Sequence, residues 1–132
     1  MNSMIAMTRR LGLLLAAVAL VVSTLFVGAS SAAAETITIT MGAGGLKYNP
    51  AKITAHPGDT IEWKIGQLPP HNVVFDPAKS ADKNLAKQLS HQKTEIKGSF
   101  LTEVPTDATP GSYSFYCTPH RGAGMVGTLT IE

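Results

Sequence analysis

A short segment near the C-terminal end of the sequence is rich in side chains that bind soft metals. Cys117 is followed three residues later by His120, and Met125 comes five residues after that. Thiolate, imidazole and thioether donors together suit copper that cycles between Cu(I) and Cu(II). A trigonal copper site of this kind takes two histidines and one cysteine, with a long, weak bond to an axial methionine. The second histidine must come from elsewhere in the chain, and His71 is the candidate.

Each of these four residues also has an ordinary explanation when taken alone. Cys117 could be a buried free thiol, His120 a surface histidine, Met125 part of the core and His71 a loop residue. Their combination on one short loop favours a metal site. Zinc fits less well, because methionine is a poor zinc ligand and structural zinc sites use more cysteine or histidine.

The first 34 residues have the order of segments found in a secretory signal peptide. Arg9 and Arg10 precede a mostly apolar run from Leu11 to Val27, and the small residues 30–34 then offer an Ala-x-Ala cleavage site. The apolar run is marginal for a membrane span, which needs about 20 residues, so an uncleaved anchor is the less favoured alternative. The Arg-Arg pair suggests twin-arginine export, but the residues around it match that signal poorly, and Sec export fits as well. We expect residues 35–132 to form the mature domain, without stable membrane insertion.

Removal of this leader changes the charge of the protein. The formal charge of +2 comes from Arg9 and Arg10 alone, so residues 35–132 are near neutral and do not suggest a nucleic-acid partner. The remaining length suits one domain, and we expect a monomer. Cys117 is the only cysteine; outside the cytoplasm such a residue is buried and inert, paired between chains, or a ligand.

Alternating polar and apolar residues, separated by Pro and Gly, predict an all-β Greek-key sandwich. One end of a sandwich collects loops from both sheets, so His71 can meet the Cys117 segment there. Leu85 and Leu89 have helical spacing and predict one short helix between residues 80 and 91. The predicted strands are 35–41, 52–55, 60–65, 72–75, 100–104, 112–116 and 127–131.

Three segments of the sequence resemble the plastocyanin family of cupredoxins. Residues 113–127 resemble its copper loop, residues 70–75 its first-ligand segment, and Gly45-Leu46 with Tyr48 its first loop. The likeness runs from about Thr36 to the C-terminus. It implies an eight-stranded sandwich with one type 1 copper ion that carries electrons from cytochrome f to photosystem I in the thylakoid lumen. The bacterial-type leader favours the cyanobacterial branch, with the periplasm as the alternative compartment.

The resemblance also implies roles for individual residues. His71, Cys117, His120 and Met125 match the four copper ligands, and Asn72 matches a residue that ties the two ligand loops together. Pro119 has a role that its chemistry suggests independently, because it has no backbone N–H to offer the thiolate. Fewer donors to the sulfur should raise the reduction potential, although simple turn geometry also explains a proline here.

The expected partner surface lies around His120. Tyr116 resembles a second contact point of the family, and Arg121 adds positive charge beside the metal. The acidic run that plant members carry after Phe75 is absent, so electrostatic steering should be weak. The expected apolar patch consists of Leu46, Pro69, Pro70, Ala123 and Gly124. The ordinary use of Gly and Pro in turns is the alternative explanation for these residues.

Three other functions are compatible with parts of the pattern. Pseudoazurins, which are periplasmic electron carriers, share the Cys-x-x-His-x4-Met spacing but usually have a helical extension. Copper storage or delivery is disfavoured because Met-rich and paired-Cys motifs are absent. A copper oxidase or nitrite reductase would need a second metal cluster, whereas His56 and His91 are interpreted as solvated. One-electron exchange needs no nucleophile or acid–base pair, so we expect an electron carrier that is not an enzyme.

Overall fold

Residues 32–132, the part of the chain that the computed structural model describes, form nine strands, one α-helix and one 3-10 helix. The signal-peptide prediction for residues 1–34 therefore lies almost wholly outside the described residues. The strands are β1 (Thr36–Met41), β2 (Tyr48–Asn49), β3 (Lys52–Ala55), β4 (Thr60–Ile65), β5 (His71–Ser80), β6 (His91–Glu95), β7 (Ser99–Glu103), β8 (Gly111–Tyr116) and β9 (Val126–Ile131). The helices are α1 (Lys83–Leu89) and the 3-10 helix Thr118–Ala123.

The strands form two sheets, with the orders β2-β1-β4-β7 and β3-β9-β8-β5-β6. β1 pairs with β4 and β3 with β9 in parallel, while the other pairs are antiparallel. The predicted all-β sandwich with one short helix is confirmed. The structure has nine strands, whereas the resemblance implied eight. The sequence pattern did not reveal β2, which is only two residues long, or β6 (HQKTE), which is polar and has no apolar alternation.

Alternating side chains of the two sheets fill the core between them. Trp63, Tyr48 and Phe115 lie at its centre. Their rings pack edge to face, with centroids 4.9 Å apart for Tyr48 and Phe115 and 5.3 Å apart for Trp63 and Phe115. Such aromatic pairs add about 1 kcal/mol each beyond their burial. Cys117 and Met125 belong to the same buried cluster, so the candidate metal loop is anchored directly on the core.

Helix α1 lies within residues 80–91, where one short helix was predicted, and its start is fixed by a cap. The Asp82 carboxylate accepts hydrogen bonds from the N–H groups of Asn84 and Leu85, at 2.9 and 3.0 Å. This is the arrangement that satisfies the free donors of a helix N-terminus. Leu85 and Leu89, the pair that predicted the helix, are both buried.

The pairing of β5 with β8 brings the predicted ligands to one end of the sandwich. β5 begins at His71 and runs antiparallel to β8, with Val74 opposite Tyr116. The chain then passes through Cys117 and the 3-10 helix, turns at Gly124 and enters β9 at Val126. His71 and Cys117 are therefore neighbours, although 46 positions of sequence separate them.

Candidate metal centre

Three potential ligands converge at this end of the sandwich. The donor atoms of His71, Cys117 and His120 all lie within 4.8 Å of one another. The Cys117 Sγ atom is 3.8 Å from Nδ1 of His71 and 3.5 Å from Nδ1 of His120. Within residues 32–132, no other group of three His, Cys, Asp or Glu side chains converges in this way.

The spacing of these donors fits a single small metal ion. An ion held by sulfur at roughly 2.3 Å and by imidazole nitrogen at roughly 2.0 Å in a plane requires sulfur–nitrogen separations of roughly 3.5–3.8 Å. The two sulfur–nitrogen distances, 3.8 and 3.5 Å, fall in this range. One thiolate and two imidazoles are also the in-plane donors of a copper electron-transfer site.

The tautomer of His71 is fixed by a hydrogen bond on the far side of its ring. His71 Nε2 lies 2.7 Å from the backbone carbonyl oxygen of Gln67, which can only accept. Nε2 therefore carries the proton, and the lone pair of Nδ1 points toward Cys117. Hydrogen bonds of this kind orient metal ligands and raise their basicity.

The two histidines differ in their access to solvent. His71 is fully buried, whereas His120 is partly exposed. Burial lowers the pKa of His120, and the neighbouring His71 lowers it further. Burial raises the pKa of the Cys117 thiol, while N–H groups of Asn72 and His120 act in the opposite direction. A metal ion must therefore displace the thiol proton, and copper affinity should fall as the pH falls.

Met125, the predicted axial ligand, is fully buried beside this site. Its N–H donates to the His120 carbonyl at 3.2 Å, and its carbonyl accepts from the Cys117 N–H at 3.1 Å. Gly124, which precedes it, has a φ of 84° and allows the chain to reverse. The backbone thus holds Met125 against both loop ligands, and its bond to the metal stays a prediction.

Asn72 joins the two ligand-bearing segments. Its Oδ1 accepts from the Thr118 N–H at 2.8 Å, and its Nδ2 donates to Thr118 Oγ1 at 3.1 Å and to the Gln92 carbonyl at 2.9 Å. Its own carbonyl accepts from the Tyr48 hydroxyl at 2.8 Å. Asn72 follows His71 and Thr118 follows Cys117, so these bonds fix the distance between the two ligands.

Replacement of the buried Asn72 with alanine should lower the free energy of unfolding by about 2–4 kcal/mol, because its three side-chain hydrogen bonds to Thr118 and Gln92 are lost. Guanidinium unfolding followed by circular dichroism measures this loss. Asn84→Ala is the matched control: Asn84 is exposed on α1, and alanine there should be neutral or slightly stabilising. Equal losses in both variants would contradict this role for Asn72.

Pro119 lies in the first turn of the 3-10 helix and is exposed. The N–H donors near the sulfur come from Asn72 and His120, and Pro119, which lies between Cys117 and His120 in the chain, has none to add. Its predicted effect on the reduction potential remains a prediction.

The residues predicted to contact partners have different environments. Leu46 and Tyr116 are partly buried. Arg121 is not a free charge, because its guanidinium lies 3.9 Å from the centre of the Tyr116 ring and 3.4 Å from an Asp76 carboxylate oxygen. The exposed members of the expected patch are Pro69, Pro70, Ala123 and Gly124.

Sequence reasoning missed several residues at this end of the molecule. Leu68 is 54% exposed on the loop before His71, and its apolar side chain beside two prolines could have indicated it. Gln67 acts through its carbonyl, so its identity gives no signal. His91 follows the end of α1 as predicted, but the interpretation that it is solvated was wrong, because its side chain is only 30% exposed. It stacks on Phe100 with ring centroids 3.9 Å apart and lies 3.1 Å from a Glu95 carboxylate oxygen.

Comparison with known proteins agrees with this geometry. The family model described as copper binding proteins, plastocyanin/azurin family, matches residues 35–132. The chain belongs to the plastocyanin/azurin family. It is 50% identical over 133 residues to the plastocyanin of Nostoc punctiforme, covering 96% of each chain. This likeness confirms the predicted resemblance to cyanobacterial plastocyanins.

Solved structures of the plastocyanin/azurin family give the same result. The oxidised form of plastocyanin from Dryopteris crassirhizoma has a TM-score of 0.62 and 35% identity, covering 72% of this chain and 99% of that one. Pseudoazurin from Methylobacterium extorquens AM1 has a TM-score of 0.56 and 25% identity, covering 73% of this chain and 74% of that one. The plastocyanin structure is therefore matched over nearly its whole length, whereas a quarter of the pseudoazurin is not.

Membership of this family establishes the general function. The protein is a type 1 copper electron carrier that exchanges electrons with redox partners, and it is not an enzyme. The convergent His71, Cys117 and His120 fit that cofactor. Within the described residues, no helix has the length and apolar character needed to cross a membrane.

Proposed function

We propose that this protein carries single electrons from cytochrome f to photosystem I in the thylakoid lumen, with its copper held by His71, Cys117, His120 and Met125. The observation that supports this most directly is the difference between the two histidines, one fully buried and one partly exposed. A carrier needs a metal that is held firmly but lies within electron-transfer reach of the surface.

Removal of residues 1–34 by a signal peptidase is part of the same proposal. The leader would take the domain across a membrane, and cleavage would release a near-neutral carrier of residues 35–132. Cell fractionation with an antibody against the mature domain distinguishes the lumen from the periplasm.

Copper supplies the chemistry of a one-electron change between Cu(I) and Cu(II). The protein's contribution is to keep the donor atoms in one arrangement in both oxidation states. The Gln67–His71 hydrogen bond and the Asn72–Thr118 pair restrain two of the ligands from outside. Such restraint reduces the structural change that accompanies each electron, and it also disfavours a role in copper delivery, which requires release of the metal.

The proposed docking surface is the apolar patch, now defined as Leu46, Leu68, Pro69, Pro70, Ala123 and Gly124. Partners of a diffusible carrier must bind weakly, and small interfaces of modest area give fast release. Leu68 is the largest of the exposed side chains of this patch and precedes the loop prolines directly. It should therefore contribute more to partner contact than the smaller residues around it.

Replacement of Leu68 with glutamine should slow electron exchange with cytochrome f about tenfold, through loss of apolar contact at the interface. Leu101→Gln is the matched control, because Leu101 is 64% exposed on β7, outside the patch. Stopped-flow oxidation of reduced cytochrome f by the copper-loaded protein gives both rates. Equal rates for the two variants would exclude Leu68 from the docking surface, and no reaction with the unmodified protein would overturn the proposed partner.

The same reaction should depend weakly on ionic strength. The mature chain is near neutral, and the Arg121 guanidinium lies against the Asp76 carboxylate, so little net charge is available for steering. We expect the rate to change by less than about threefold between roughly 0.01 and 0.3 M salt. A steep loss of rate on adding salt would contradict this.

A further inference from the structure

Asp59 directly precedes β4, and its carboxylate is buried at the other end of that strand from Gln67. It closes the turn from His56 to Asp59 between β3 and β4, and it is 4% exposed. Its Oδ1 accepts a hydrogen bond from the backbone nitrogen of Glu35 at 2.9 Å, and its Oδ2 accepts from the backbone N–H of His56 at 2.7 Å. The copper site makes no use of this group.

The carboxylate of Asp59 has no permanent cation beside it in residues 32–132. Its one ion-pair contact there is with His56 Nδ1 at 3.6 Å, and that imidazole is 59% exposed and also faces Glu132 at 3.6 Å. Hydrogen bonds from the backbone N–H groups of Glu35 and His56 hold the pKa of Asp59 below its ordinary value, so it is charged at neutral pH. Burial of a charge without a counter-ion costs free energy.

We propose that Asp59 is the receptor for the α-ammonium group that cleavage after Ala34 creates on Glu35. The inference rests on the proposed removal of the leader. Cleavage adds water across the Ala34–Glu35 peptide bond. Ala34 leaves with a new carboxylate, and the Glu35 nitrogen gains protons and becomes an ammonium group. The cation that Asp59 lacks is thus made at the atom that already lies 2.9 Å from its Oδ1.

The position of Glu35 is fixed independently of this contact. The Glu35 carbonyl accepts from the Thr60 N–H at 2.9 Å, and Thr36 pairs with Thr60 where β1 joins β4. Little further ordering is needed when the amide becomes an ammonium, so the gain in electrostatic attraction is not offset by lost freedom. Charge-assisted hydrogen bonds are roughly twice as strong as neutral ones. Processing should therefore stabilise the mature domain.

The experiment compares two copper-loaded forms of the protein: a free form, residues 35–132 with a free amino group on Glu35, and an extended form, the same chain preceded by Ala33-Ala34. Each form is made with Asp59 and with Asp59→Asn. Guanidinium unfolding should give an unfolding constant about tenfold smaller for the free form than for the extended form. The difference should vanish in Asp59→Asn. It should persist in Glu103→Gln, a nearby carboxylate on β7 opposite Thr60. Equal stability of the two forms, or a difference that survives in Asp59→Asn, would overturn the proposal.

A second measurement needs no variant and so does not depend on the folding of Asp59→Asn. In the folded mature protein, acetic anhydride should modify the Glu35 amine several-fold more slowly than the amine of a peptide with the sequence of residues 35–40, because the ammonium is held by Asp59. An equal rate would overturn the proposal, as would a mass of the exported protein showing a first residue other than Glu35. Failure of the proposed electron-carrier function would show instead as no electron exchange with reduced cytochrome f in either form, with the difference in stability unchanged.

Discussion

Serine in place of Cys117 should abolish the intense visible absorption of the copper-loaded protein. That absorption arises from charge transfer between a thiolate and Cu(II), and Cys117 is the only cysteine in the chain. A serine hydroxyl is of similar size but stays protonated near neutral pH and is a harder donor. The expected result is loss of the blue band, with copper bound weakly by His71 and His120 or lost on dialysis. Absorption spectra after Cu(II) addition, with metal analysis, measure both effects.

The fold should survive this substitution, which makes the spectroscopic result easy to interpret. Far-ultraviolet circular dichroism should remain that of a β-sandwich, since Cys117 contributes one small side chain to a core centred on Trp63 and Phe115. His56→Ala is a control, because His56 is an exposed histidine of the β3–β4 turn and its loss should leave the band unchanged. A band of normal intensity in Cys117→Ser would refute the assignment of the thiolate as a ligand.

The chemistry of the candidate site was predictable because most of it lies on one short loop. Cys117, His120 and Met125 are close in sequence, so their types and spacing alone indicate a soft trigonal site. His71 could be predicted as a ligand because a sandwich brings loops of both sheets to one end. The structure places its Nδ1 atom 3.8 Å from the Cys117 sulfur. The sandwich itself followed from period-two alternation in strands such as β1 and β4.

The features that sequence did not reveal are those carried by backbone groups or by partners distant in the chain. The Gln67 carbonyl that orients His71 would be the same group in any residue. Strand β6 is polar and has no alternation, because its pairing with β5 at the edge of the sheet leaves most of its residues exposed. The pairing of Arg121 with Asp76 spans 45 positions, so the sequence suggested a free positive charge where the structure has a paired one.

Gly42 is the position outside the ligands where a single methyl group should have the largest effect. It has a φ of 84° and follows β1 at the metal end of the sandwich. A Cβ atom there would overlap the Gln67 carbonyl oxygen and would lie 2.8 Å from Nε2 of His71. Those two atoms form the hydrogen bond that orients the His71 ring, so alanine must separate them or distort the turn.

Gly42→Ala should therefore lower the free energy of unfolding by about 3–5 kcal/mol, the sum of left-handed backbone strain and steric overlap. It should also weaken copper binding about 10- to 100-fold, the usual effect of losing a hydrogen bond that orients a metal ligand. Denaturant titration and competition with a copper chelator measure the two losses separately.

Gly98→Ala separates the cost of left-handed backbone strain from the cost of steric overlap. Gly98 has nearly the same φ, 81°, but a Cβ atom there would have nothing within 4 Å. Alanine at Gly98 should cost only the left-handed strain, about 1–2 kcal/mol, and should leave copper affinity unchanged. The difference between the two variants then reports the contact of Gly42 with the Gln67–His71 pair. If both variants lost equal stability and bound copper equally well, the Gln67–His71 hydrogen bond would have no part in holding the metal.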